Sequence, residues 1–109
     1  MNEKDRELIL MFKNRLPSDV KWHLKQIIVF GSRARGEAEE ESGIDVVALV
    51  DEKTSEIERK LEDVAYQVMW DHDFKPIMSL KVFAESRFNS AIKRGFSFYE
   101  NVQKEGISV

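Results

Sequence analysis

The stretch GSRARGEAEEESGIDVVALV, residues 31–50, decides how this chain is read. It follows the apolar run QIIVF (26–30) and closes on the β-branched run IDVVALV (44–50). Both runs read as buried strands, because a strand covered on two faces is apolar at successive rather than alternate positions. The loop between them opens with a Gly-Ser pair. Gly31 has no side chain, so the backbone can turn tightly and a ligand can approach it, and Ser32 sets a hydroxyl beside its amide. Phosphate oxygens suit such a turn. Arg33 and Arg35 follow with forked donors that match phosphate in a way lysine does not. Ordinary strand exits also carry Gly-Ser, and arginines are often merely solvated, so these residues by themselves assign no function.

The second half of the stretch carries the metal chemistry. Side chains at i and i+2 of a strand share a face, so acids at positions 43 and 45 would both meet a divalent cation at the strand's start. The chain has Gly43 and Asp45 there. A lone aspartate at a strand entry is equally a turn or capping residue. Glu39, Glu40 and Glu41 lie in the loop without the strand position needed to replace the missing acid, and read as solvated.

Outward from the loop, Leu8, Ile9, Met11, Phe12 and Leu16 fall near helical spacing, and Pro17 closes a first helix over 3–16. Ser55 and Glu58 have capping-box spacing ahead of the stripe Ile57, Leu61, Val64, Ala65 and Val68, which predicts a helix over about 55–70. KPIMSLKVF (75–83) reads as a third strand with Pro76 near its entry, and AESRFNSAIKRG as a helix stopped at Gly95. In the last segment Phe96, Phe98, Tyr99 and Val102 offer a docking face, with Gly106 as a cap before a short tail. Tyr66 and Trp70 are expected in ordinary core packing, with membership of the same docking surface as the alternative. The order predicts an α/β (α+β) fold: a mixed sheet of three principal strands, with helices mainly on one face.

Composition narrows the classes. A chain of 109 residues that is 42% hydrophobic suffices for a single domain, 1–109, whose cleft is shallow or shared with a second chain, a further copy or a partner. No run is long and apolar enough for a membrane span, and the charged start MNEKDRELILM is unlike a signal peptide, so the expected location is the cytoplasm. With no cysteine and only His23 and His72, any metal would be a hard cation held by oxygen. A net charge of -3 argues against general affinity for nucleic acid.

The run Gly31, Ser32, Ala34, Arg35, Gly36, Ser42, Ile44 and Asp45 resembles, in register and without insertion or deletion, the signature of the minimal nucleotidyltransferases, the small prokaryotic branch of the DNA polymerase beta superfamily. That signature reads Gly-Ser, Ala-Arg-Gly, then Ser-Asp-x-Asp and apolar residues. The order of elements and the ending FYENVQKEG (98–106) extend the resemblance more loosely over the chain. It implies binding of ATP with Mg2+, the Gly-Ser turn holding the phosphates with Gly31, Ser32, Arg33 and Arg35 as the nucleotide-binding residues, and transfer of AMP to a hydroxyl. Three carboxylates would hold the metals: two from the Asp-x-Asp pair and one from the next strand. Here Gly43 takes the place of the first, Asp45 is the second, and Asp73 is the expected third with Asp71 in reserve. A bridging acid chiefly serves the ion that activates the nucleophile, so nucleotide binding can outlast catalysis. Glycine in a strand costs roughly 0.5–1 kcal/mol against alanine. Two bare carboxylates about 6 Å apart would repel by ~1–3 kcal/mol at an effective dielectric of 20–40.

The resemblance further implies a helical HEPN-type partner, as in toxin-antitoxin pairs, with a tyrosine of that partner as acceptor. This chain has no Arg-x4-His ribonuclease motif and is not the toxin half. Two rivals stand beside a transferase: an inactive module that neutralises its partner by contact while retaining nucleotide, and an acidic scaffold that only oligomerises. Gly43 favours the first rival, and the intact Gly-Ser-x-Ala-Arg-Gly run weighs against the second.

Overall fold

The computed structural model describes residues 1–39 and 41–109, so of the three loop glutamates Glu40 lies outside the described residues. Four strands form one mixed sheet: β1 (Leu24–Phe30), β2 (Ile44–Val50), β3 (Met78–Ala84) and β4 (Ile107–Ser108), in the order β3-β2-β1-β4. β2 runs antiparallel to β1 and parallel to β3, and β4 adds two antiparallel residues to the outer side of β1. The helices are α1 (Glu3–Arg15), α2 (Ser18–His23), the single turn α3 (Ser32–Arg35), α4 (Ser55–Asp71), α5 (Glu85–Lys93) and α6 (Ser97–Glu105). A parallel pair needs a long crossover, and α4 supplies it between β2 and β3.

The pleat divides the core in two. Ile44, Val46, Ala48 and Val50 of β2 join Ile27 and Val29 of β1 under α1, α2 and α4, where Phe12, Ile9 and Leu61 are wholly enclosed. Val47 and Leu49 turn the other way with Ile28, and meet Phe88 of α5 and Val102 of α6. The main helical layer is therefore on one face, as expected, and the two C-terminal helices close the other. That double cover explains why IDVVALV reads as a continuous apolar run.

Local differences from the sequence reading have local causes. Thr54, in extended backbone, caps α4 by accepting from the Ile57 amide at 3.1 Å, so Ser55 is already the first helical residue rather than the cap. Asp73 and Phe74 sit at φ 55° and 56° in a turn, so extended backbone starts at Met78, three residues later than the spacing predicts. Tyr66 and Trp70 lie about half a helical turn away from the buried stripe of α4. They remain 56% and 66% exposed, stacked with Phe74 at ring distances of 5.6–6.4 Å. They are surface residues, not core.

The C-terminal aromatics divide. Phe98 meets Phe30 edge to face at 5.7 Å, and Tyr99 packs on Phe83 and Phe88 at 5.4 and 5.5 Å, whereas Phe96 stays 52% exposed. Truncating Phe88→Ala is expected to cost about 3–5 kcal/mol in urea unfolding and to open the tail to limited proteolysis. Phe96→Ala should stay within about 1 kcal/mol of the parent, because most of its ring is already in water.

Candidate nucleotide site

The motif residues meet at one end of the sheet because the β1–β2 register pairs Phe30 with Asp45. Gly31, the next residue, has φ 76° and ψ -157°, a region open in practice only to glycine. A Cβ built on Gly31 would lie 2.6 Å from Asp45 Oδ2, so the carboxylate packs directly against the bare backbone of the turn. Ser32 begins α3, and Gly36, left-handed at φ 74°, ends it with its amide bonded to the Ser32 carbonyl. Gly31, Ser32 and Asp45 are half-buried and contiguous. Since Val47 and Leu49 face the α5/α6 layer, Asp45 shares that face, beside Phe30.

The two motif arginines have different surroundings. Arg33 turns into the protein: its side chain is 10% exposed, Nη1 bonds Asp5 Oδ1 at 3.0 Å and Nη2 donates to the Ser42 carbonyl at 2.5 Å. Arg35 points outward, with Nε on Glu37 at 3.0 Å and Nη1 near Glu105 of α6 at 3.5 Å. The hydrogen bond that it donates to Glu37 raises its pKa further, with Glu105 adding to it, so it stays a cation at any working pH. Of the two expected phosphate donors, Arg35 is the one on the surface.

Besides position 43, the resemblance implied two carboxylates, Asp45 and a third, Asp73 with Asp71 in reserve. Asp71 is engaged by Arg15 at 2.5 Å, and Asp73 is exposed in the turn after α4, five residues before β3. The parallel register instead sets Ser79 opposite Asp45, with Ile77 and Lys81 two residues to either side on the same face. None of these is acidic. Among the described residues no group of three or more His, Cys, Asp or Glu side chains is arranged to hold a metal. Asp45 beside the bare turn fits one Mg2+ whose other ligands are phosphate oxygens and water, a usual arrangement for that ion. A pair of bridged ions does not fit this set. Position 43 is also tight: a Cβ there meets the Ile77 carbonyl at 3.1 Å, and that carbonyl already accepts the Ile44 amide at 2.8 Å.

Residues 9–107 match the family model described as "Nucleotidyltransferase domain". The chain belongs to the nucleotidyltransferase family. Two proteins of Methanocaldococcus jannaschii, "Putative protein adenylyltransferase MJ0141" and "Putative protein adenylyltransferase MJ0604", are each 33% identical to it over 106 residues. Those alignments cover 94% and 97% of this nucleotidyltransferase and 96% of each relative. A crystal structure of "a putative nucleotidyltransferase from Sulfolobus solfataricus" superposes with a TM-score of 0.51 at 18% identity, over 99% of this chain and 86% of that one, and bears on the fold alone.

Two features of the site escaped the sequence reading. Ser79 is found only through strand register. Asp5 left a signal, since it sits three and four residues before Leu8 and Ile9 on the buried stripe of α1, where an acid needs a partner. Shallow depressions lined by Lys13, Lys21 and Lys25, and by Arg87, Ser90 and Arg94, include no motif residue. No described helix is long and apolar enough to cross a membrane.

Substituting Gly31→Ala is expected to destabilise the chain by about 1–3 kcal/mol from backbone strain alone. It should also displace the Asp45 carboxylate. Urea unfolding measures the first effect, and a magnesium-nucleotide titration the second.

Proposed function

We propose that this nucleotidyltransferase binds magnesium-ATP at the Gly31–Ser32 turn and Asp45, and that its transfer of AMP to a protein hydroxyl is slow. The observation that carries this reading is the Asp45 carboxylate set against the bare Gly31 turn, with Gly43 just ahead of the strand and Ser79 opposite Asp45. Backbone amides and the Ser32 hydroxyl donate to the phosphates, Arg35 adds a cation, and Asp45 contributes one oxygen ligand for Mg2+. When bound, Mg2+ supplies charge neutralisation on the triphosphate. Among the described residues, neither position 43 nor position 79 sets a second carboxylate beside Asp45 to take the proton of an attacking hydroxyl, which is the reason for a slow transfer. The relatives named as protein adenylyltransferases support AMP as the group and a protein as the acceptor. The acceptor in this reading is a tyrosine hydroxyl of a HEPN-type helical partner, encountered in the cytoplasm. The outward aromatics Tyr66 and Trp70 support contact with another protein.

A second reading, a contact-only module that keeps nucleotide without transfer, is favoured by the same lack of acids at 43 and 79. The two separate in one set of measurements. Calorimetry of the parent with magnesium-ATP is expected to show saturable binding that Asp45→Asn removes. Incorporation of labelled AMP into the partner should be faint, and Gly43→Asp should raise it about tenfold or more, a gain of ~1.4 kcal/mol or more in the barrier. The new side chain must first move the Ile77 carbonyl by a few tenths of an ångström, so the variant should unfold more easily than the parent. Strong labelling by the parent would overturn the assignment of Gly43 as a lesion. Binding without labelling by Gly43→Asp, with the partner present, would leave the contact-only module.

A further inference from the structure

Asp5 is the buried charged residue among those described, at 3% exposure, and it belongs to no motif. It stands in the first turn of α1, where Asn2 Oδ1 accepts its amide at 2.8 Å. Its carboxylate holds Arg33 Nη1 at 3.0 Å, while Nη2 of the same guanidinium reaches the Ser42 carbonyl. Arg33 directly follows Ser32, and Ser42 lies three residues before Asp45. One planar fork therefore spans the two segments that must keep a fixed separation: the phosphate turn and the strand entry that carries the metal-ligating aspartate. Ser42 is held from its other side as well, since its Oγ accepts the Glu39 amide and its own amide donates to the Glu39 carbonyl, both at 3.0 Å.

We propose that Asp5 is a positioning residue for the nucleotide site, acting through Arg33. The inference rests on the nucleotide-binding reading above and adds to it that α1, through Asp5, sets the geometry of the site. A carboxylate orients a guanidinium through charge-assisted hydrogen bonds, and burial prevents water from substituting for it. Without the carboxylate, Arg33 loses its anchor on α1 and the Ser42 carbonyl is no longer held at a set distance from Ser32. The Asp45 carboxylate then drifts relative to Gly31.

The test compares Asp5→Asn, Asp5→Glu and Arg33→Lys with Arg15→Ala, which breaks the exposed Arg15–Asp71 pair near the other end of α1. Lysine keeps the charge near Asp5 but cannot form the two-pronged bridge, so it serves as the milder variant where Asp5→Asn fails to fold. At a temperature where circular dichroism shows each variant folded, magnesium-ATP affinity is expected to fall about tenfold or more in Asp5→Asn and Arg33→Lys. It should recover partly in Asp5→Glu and stay unchanged in Arg15→Ala. Amide hydrogen exchange should quicken at Ser32, Gly43 and Ile44 in the affected variants and not across the core. Parental affinity, or exchange that quickens uniformly, in a folded Arg33→Lys or Asp5→Asn variant would overturn the proposal. If the parent itself binds no nucleotide, the binding reading fails. Exchange then still decides the clamp, because locally confined quickening supports it and unchanged rates at those three amides refute it.

Discussion

A guanidinium buried between a helix and two loop segments constrains everything around it. Arg33 is drawn inside by Asp5 and satisfied on its other edge by the Ser42 carbonyl, with both side chains almost out of solvent. A buried ion pair contributes little net stability, because desolvating two charges costs about what their attraction returns, but an unpaired one is expensive, at about 3–5 kcal/mol. The pair therefore acts less as glue than as a selector of one arrangement. Arrangements that separate α1 from the motif turn, or the turn from the entry of β2, leave a charge stranded. The first motif arginine is used up in this way, and surface cationic character passes to Arg35, itself tied to Glu37 and Glu105.

The site that results has a well-defined glycine turn and, among the described residues, a single carboxylate beside it. Gly31 is doubly constrained, by a backbone conformation closed to other residues and by the Asp45 carboxylate occupying the space of a Cβ. In the proposed reading that much serves a triphosphate that brings its own ion, since magnesium keeps most of its ligands as phosphate oxygen and water. Chemistry on an incoming hydroxyl asks for more carboxylates, and the facing strand offers Ile77, Ser79 and Lys81 in their place. Position 43 is exposed and is crowded on one side by the Ile77 carbonyl, which an aspartate there would have to displace by a few tenths of an ångström. In that reading binding and transfer are physically separable. A nucleotidyltransferase fold can keep the first with one carboxylate.

Most of the fold was legible in the order of residues. The spacing of Leu61, Val64, Ala65 and Val68, and the unbroken run from Ile44 to Val50, state a helix and a doubly covered strand through burial alone, because burial repeats with the geometry of each element. The motif was legible for a different reason: Gly-Ser, Ala-Arg-Gly and Asp45 match, within 15 residues, the signature that the chain resembles. What failed was local detail that depends on a neighbour one residue away, as with Thr54 in place of Ser55, or on turn backbone, as with Asp73 and Phe74 delaying β3.

By itself the sequence determined that a Gly-Ser turn lies between two buried strands, that Asp45 stands at the entry of the second, and that position 43 lacks an acid. Only the tertiary structure decided what stands opposite Asp45 and where Arg33 points. The first depends on the register of β3 against β2 across a crossover helix, and the second on a carboxylate 28 residues away. Spacing along a chain encodes which face a residue takes within its own element. It carries no information about which residue of another element will arrive beside it, because that is fixed by packing of the whole core.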